Sequence, residues 1–107
     1  MSFHVHTAGD ESVITLSAQS LRDPTAEAVG EGLLRLADEP GRQRLRLDLG
    51  EVPYLTSEWL GKFIALHKAV RRRGGRLTLV NVTAPVYEIF RVTCLHQVLD
   101  VRPAQAG

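Results

Sequence analysis

The sequence predicts an α/β fold in one domain: a small mixed β-sheet of four to five strands, with helices packed mainly on one face. Three observations predict it. The chain has 107 residues, enough for one two-layer core and little more. Its apolar positions switch repeatedly between strand alternation and helical spacing. Strand–helix–strand units follow one another, which favours parallel neighbours joined by right-handed crossovers.

The elements follow in order. Phe3-His4-Val5-His6 alternates, Val13, Ile14 and Leu16 form a second apolar run, and Ala8-Gly9-Asp10-Glu11 between them is turn chemistry. An opening β-hairpin is expected. Asp23-Pro24 then opens a helix, with Asp23 or a neighbour as N-cap and Pro24 in the first turn. Val29, Leu33, Leu34 and Leu36, with Ala26 and Ala37, recur at helical spacing until Glu39-Pro40-Gly41 stops them.

Leu45, Leu47 and Leu49 alternate with Arg44, Arg46 and Asp48, which is strand periodicity. Gly50 and Pro53 break that run. A second helix, extending to about Arg73, aligns Trp59, Phe63, Leu66 and Val70, while Lys62, Lys68, Arg71 and Arg72 fall toward the other side. Gly74-Gly75 ends it. Leu77 to Val82 reads as a strand, Thr83-Ala84-Pro85 opens a third helix carrying Val86, Ile89 and Phe90, and Val98 to Val101 reads as a last strand. The domain is expected to span residues 1–102, with 103–107 a disordered tail that has little to bury.

Composition narrows the function classes. A 44% apolar, 23% charged chain of formal net charge +1 has no general pull toward nucleic acid or membrane. Cys94 is the single cysteine, so no internal disulfide can form, and a lone thiol suits a reducing compartment. The first residues lack the pattern of a signal peptide, and no run approaches the roughly 20 apolar residues of a membrane span. A cytoplasmic protein is expected. Nucleotide-binding glycine motifs, nucleophile elbows and helical zinc motifs are all missing from the sequence, so no enzyme and no cofactor are expected. His4, His6, His67 and His96 lack metal-ligand spacing within one element.

The most informative stretch is Tyr54-Leu55-Thr56-Ser57-Glu58-Trp59-Leu60-Gly61. Two hydroxyls stand where a helix begins, among backbone N–H groups that no helical carbonyl can reach. A phosphate there is tolerated by the fold and visible to a partner. These residues point to a switch rather than an active site.

The run from Leu45 to Gly61 resembles the STAS family, the anti-sigma factor antagonists, which typically show an apolar strand ending in Asp-Leu, a short loop, then Asp-Ser-Ser/Thr-Gly-Leu-Gly. The resemblance continues through Arg73-Gly74-Gly75-Arg76-Leu77-Thr78-Leu79-Val80-Asn81-Val82 and into Val86 to Leu99. It implies binding to an anti-sigma factor that is also a GHKL-type serine kinase. It further implies phosphorylation of the serine after the motif aspartate, and resetting by a metal-dependent serine/threonine phosphatase. The matching serine is Ser57, with Thr56 as the alternative acceptor. Thr56 replaces the motif aspartate, Glu58 follows the serine, and Trp59 stands where glycine is usual, whereas Leu60 and Gly61 match.

The partner surface expected from this stretch comprises Tyr54, Thr56, Ser57, Glu58, Trp59 and Lys62, with Trp59 projecting as an aromatic anchor. Trp59 also shares a stripe with Phe63 and Leu66, and a residue so placed is more often a core residue than an interface anchor. Ser57 and Thr56 can each serve as helix cap. The alternative to a phosphoswitch is a STAS interaction module that is not phosphorylated. A small-ligand or nucleotide sensor ranks behind both. The chain is expected as a monomer or weak homodimer. Arg71, Arg72, Arg73 and Arg76 form a basic cluster that either complements a helix dipole or meets an acidic partner, and Cys94 reads as a small buried hydrophobe.

Overall fold

The computed structural model describes residues 3–22, 25–41 and 43–104. Strand β1 (His4–Ala8) and strand β2 (Glu11–Ser17) form the opening hairpin, and Ala8 pairs with Glu11 across a two-residue turn. Gly9 supplies the left-handed φ of 64° that the turn requires. Helix α1 (Thr25–Asp38), strand β3 (Arg44–Glu51), helix α2 (Ser57–Arg72), strand β4 (Arg76–Val82), helix α3 (Ala84–Val92) and strand β5 (Asp100–Pro103) follow. The expected cap at Asp23 and Pro24 lies outside the described residues.

The five strands lie side by side in chain order, β1 antiparallel to β2 and every later pair parallel. That order explains where the helices go. Each crossover steps in the same direction across the sheet, and crossovers of one hand then deliver all three helices to one face. The burial pattern agrees with this. Ile14, Leu16, Leu45, Leu47, Leu49, Leu77 and Leu79 are buried and share a core with Val29, Leu33, Phe63, Leu66, Val70 and Phe90. The alternate positions, Arg44, Arg46 and Asp48 among them, belong to an open polar face.

Helix α2 ends in two glycines with different tasks. Gly74 takes a φ of 77°, and its N–H donates to the carbonyl of Arg71, while the N–H of Gly75 donates to Val70. Gly75 is needed for closeness: a Cβ there would stand 2.3 Å from the backbone oxygen of Gln43.

Residues Gln19–Leu21 form a 3-10 turn, tied by Ser20, whose hydroxyl accepts from the N–H of Ser17. Three sequence expectations need correction. The last strand begins at Asp100 rather than Val98, because the N–H groups of Val98 and Leu99 both donate back to Leu95 and hold the chain in a turn. That strand runs through Pro103, into the segment expected as a tail, and Ala104 N–H still donates to Val82. Cys94 is exposed, with a φ of 61° between α3 and the 3-10 turn Leu95–Gln97, not a buried hydrophobe.

Candidate functional site at the start of helix α2

Strand β3 delivers the chain to the site and is pinned just before it. Asp48 accepts through Oδ1 from the N–H of Gly50 at 2.9 Å and from Asn81 Nδ2 at 3.2 Å. Asn81 reaches across from β4 with a φ of 55°, a conformation Asn tolerates better than most residues. A Cβ on Gly50 would lie 2.2 Å from that same Nδ2. Asp48, Gly50 and Asn81 thus lock the ends of two neighbouring strands. Val52 follows, fully buried, its N–H donating to Leu49.

Residues 53–56 then rise to the surface. Tyr54 is 49% exposed, and Thr56, Ser57 and Glu58 are all exposed. Thr56 is the N-cap: its backbone is extended, and its Oγ1 accepts from the N–H of Trp59 at 3.3 Å. Ser57 is the first helical residue and its hydroxyl makes no hydrogen bond among the described residues. Glu58 follows in the first turn, where its charge favours the positive end of the helix. Cap and exposed hydroxyl are therefore separate residues.

Trp59 contradicts the expected interface anchor. It is fully buried, its Nε1 donates to the carbonyl of Leu21 at 3.1 Å, and its ring meets Phe63 at 5.6 Å between centroids. The 3-10 turn before α1 closes over it, which satisfies the indole N–H that burial would otherwise leave unpaired. Lys62 is half-buried and leans across α1 instead: its Nζ stands 5.8 Å from the Trp59 ring centre, and a Cβ on Gly30 would be 3.3 Å from its Cδ. It lines a groove with Glu27 and Glu31 between α1 and α2. The structure thus brings Tyr54, Thr56, Ser57 and Glu58 into one exposed patch, puts Trp59 under it and Lys62 beside it.

The fold has counterparts in known proteins. The family described as "Mlab, STAS domain" matches residues 3–101. The chain belongs to the STAS family. A curated relative, the anti-sigma-B factor antagonist of Bacillus subtilis (strain 168), is 31% identical over 83 residues, covering 78% of this chain and 74% of that protein. Among solved structures, an anti-sigma-factor antagonist (STAS) domain protein from Planctomyces limnophilus superposes with a TM-score of 0.80 at 19% identity, covering 96% of this chain and 91% of the other. The unphosphorylated anti-sigma factor antagonist SpoIIAA superposes at 0.77 with 15% identity, over 92% and 86% of the two chains. Its phosphorylated form from Bacillus superposes at 0.68 with 12% identity, over 92% and 89%. At these identities the structures speak for the STAS fold, which this chain shares.

Sequence reasoning missed the Asp48–Gly50–Asn81 lock and the turn at Gln19–Leu21. The spacing Asp-x-Gly at the end of one strand and an Asn inside Val-Asn-Val on the next carried the first signal. Nothing local marked the second. No helix among the described residues is long and apolar enough to cross a membrane, and no group of three or more metal-ligating side chains forms among them.

Proposed function

We propose that this protein is an anti-sigma factor antagonist-like binding protein, switching partners at the exposed start of α2 under control of Ser57. The partner is an anti-sigma factor or GHKL-type serine kinase, with a metal-dependent phosphatase to reset the switch. The reading rests on one observation above the rest: Ser57 presents an exposed, unengaged hydroxyl at the first position of α2 while Thr56 alone caps the helix. A kinase can take Ser57 without breaking the cap. Modifying Thr56 would remove the bond to Trp59 N–H, so Ser57 is the acceptor and Thr56 its support.

A phosphate of about −1.5 to −2 charges at Ser57 lies at the positive end of α2 and beside Glu58. The helix end favours it and Glu58 opposes it, so the fold changes little. The effect falls on the partner, which must desolvate that charge or leave. Tyr54 and Glu58 frame the contact; Trp59 supports it from below.

Glu58 also motivates a second reading, a STAS interaction module without phosphorylation, because a permanent charge next to the hydroxyl repels an added phosphate. Capture of a kinase or anti-sigma factor by wild type and Ser57→Ala, with loss of capture by Ser57→Asp, supports the switch. Equal capture by all three supports the fixed module, and Tyr54→Ala then becomes the variant that should weaken it.

A further inference from the structure

At the far end of the sheet two arginines stand side by side on neighbouring strands. Arg44 and Arg76 open β3 and β4 and are direct neighbours in register, both on the open face. Like charges placed side by side on adjacent strands repel. The two guanidiniums are drawn apart by different acids. Arg44 reaches Asp10 at 3.6 Å and Glu11 at 3.7 Å, while Arg76 Nε reaches Asp100 at 3.8 Å. Arg46 shares Glu11 at 3.5 Å, and Arg102 shares Asp100 at 3.4 Å. Among the described residues four guanidiniums therefore divide three carboxylates, and an excess of positive charge remains.

Between them is a polar cavity of about 80 Å³, lined by Glu11, Arg44, Arg46, Arg76, Thr78 and Arg102, with Leu45 beneath. It is far below the roughly 300–1,000 Å³ of a drug- or cofactor-sized pocket. Thr78 is nearly buried on its floor, its hydroxyl donating to Asp100 at 3.4 Å. Arg44 and Arg76 both line the cavity, and the planar N–H fork of a guanidinium is suited to a carboxylate or phosphate. The basic last turn of α2, with Arg71 and Arg72, ends four residues before Arg76 and raises the positive potential of this end.

We infer that the cleft between Arg44 and Arg76 is an anion site for a phosphate group, held by both guanidiniums and relieving their mutual repulsion. Glu11 also faces the cleft and weakens it, but its two oxygens are turned to Arg44 and Arg46. β3 is eight residues long and spans roughly 23 Å, with the cleft at its start and Ser57 beyond its other end. The site is thus separate from the switch and stands without it.

The test is an NMR titration of the whole chain with inorganic phosphate at constant ionic strength, following the amides of Leu45 and Thr78 and the Nε–H groups of Arg44 and Arg76. The expected result is saturable shifts that sodium chloride does not reproduce, weakened at least tenfold in Arg44→Gln and in Arg76→Gln but kept in Arg71→Gln. Saturation by inorganic phosphate and glycerol phosphate alike assigns the site to phosphate esters; saturation by inorganic phosphate alone assigns it to the free anion. Shifts that chloride reproduces, or that survive in both Arg44→Gln and Arg76→Gln, overturn the proposal. Thermal melts give a second readout. Without phosphate, Arg76→Gln keeps or raises Tm, since it removes one repelling partner; with phosphate, only wild type gains Tm. Equal gains in wild type and variant contradict it.

Discussion

Two strand-to-helix junctions stand at the same end of the sheet and are built in opposite ways. After β3 the chain spends five residues, 52–56, before α2 begins; after β4 a single residue, Thr83, leads into α3. Both helices have a threonine N-cap in the extended conformation. Thr56 is exposed and its hydroxyl caps Trp59 N–H, whereas the Thr83 hydroxyl is buried and has no hydrogen-bond partner among the described residues. Pro85, near the start of α3, supplies the helix entry that the Thr83 side chain does not. The short junction is a packing joint. The long one lifts three polar side chains, Thr56, Ser57 and Glu58, into solvent while its sequel Trp59 anchors the helix in the core. Exposure at a helix start is thus a product of loop length and of what is buried immediately after.

The comparison breaks most severely at Trp59. Trp59→Ala removes a fully buried ring together with its bond to Leu21 and should cost about 3–5 kcal/mol, read by chemical denaturation. Any loss of partner binding in that variant then reports unfolding, and not a missing contact. Thr56→Ala loses the cap and should cost about 1 kcal/mol. Thr83→Val tests the other junction and should act in the opposite sense. It replaces a hydroxyl that makes no bond with an isosteric methyl, so stability should hold or rise by up to about 1 kcal/mol. Ser57→Ala should change stability least, within about 0.5 kcal/mol, because the side chain is exposed and unengaged. Together the four order the residues by structural duty, with Ser57 carrying the least.

Most of the sheet and its helices could be read directly from the chain. Leu45, Leu47 and Leu49 alternate with charged residues because one face of β3 is covered and the other is open. Phe63, Leu66 and Val70 recur because α2 shows the sheet one stripe. The partial failures share a cause: each depended on a contact between distant parts of the chain. Trp59 belongs to the same stripe as Phe63, but at the first turn of a helix a side chain can face the core or the solvent. The carbonyl of Leu21, 38 residues away, decides it. Asn81 adopts a left-handed φ because Asp48 on the neighbouring strand takes its amide. Val98 has strand propensity, yet the turn held by Leu95 delays β5 by two residues. Lys62 falls on the polar side of α2 by spacing and is drawn into the groove beside Gly30 only once α1 is packed there.

Phosphopeptide mapping of the protein recovered from its own host, grown with and without stress, tests the central claim most directly. The account predicts phosphate on Ser57, with Thr56 unmodified, at an occupancy that changes between the two conditions. A protein that captures its kinase or anti-sigma partner while Ser57 stays unmodified in every condition would contradict it.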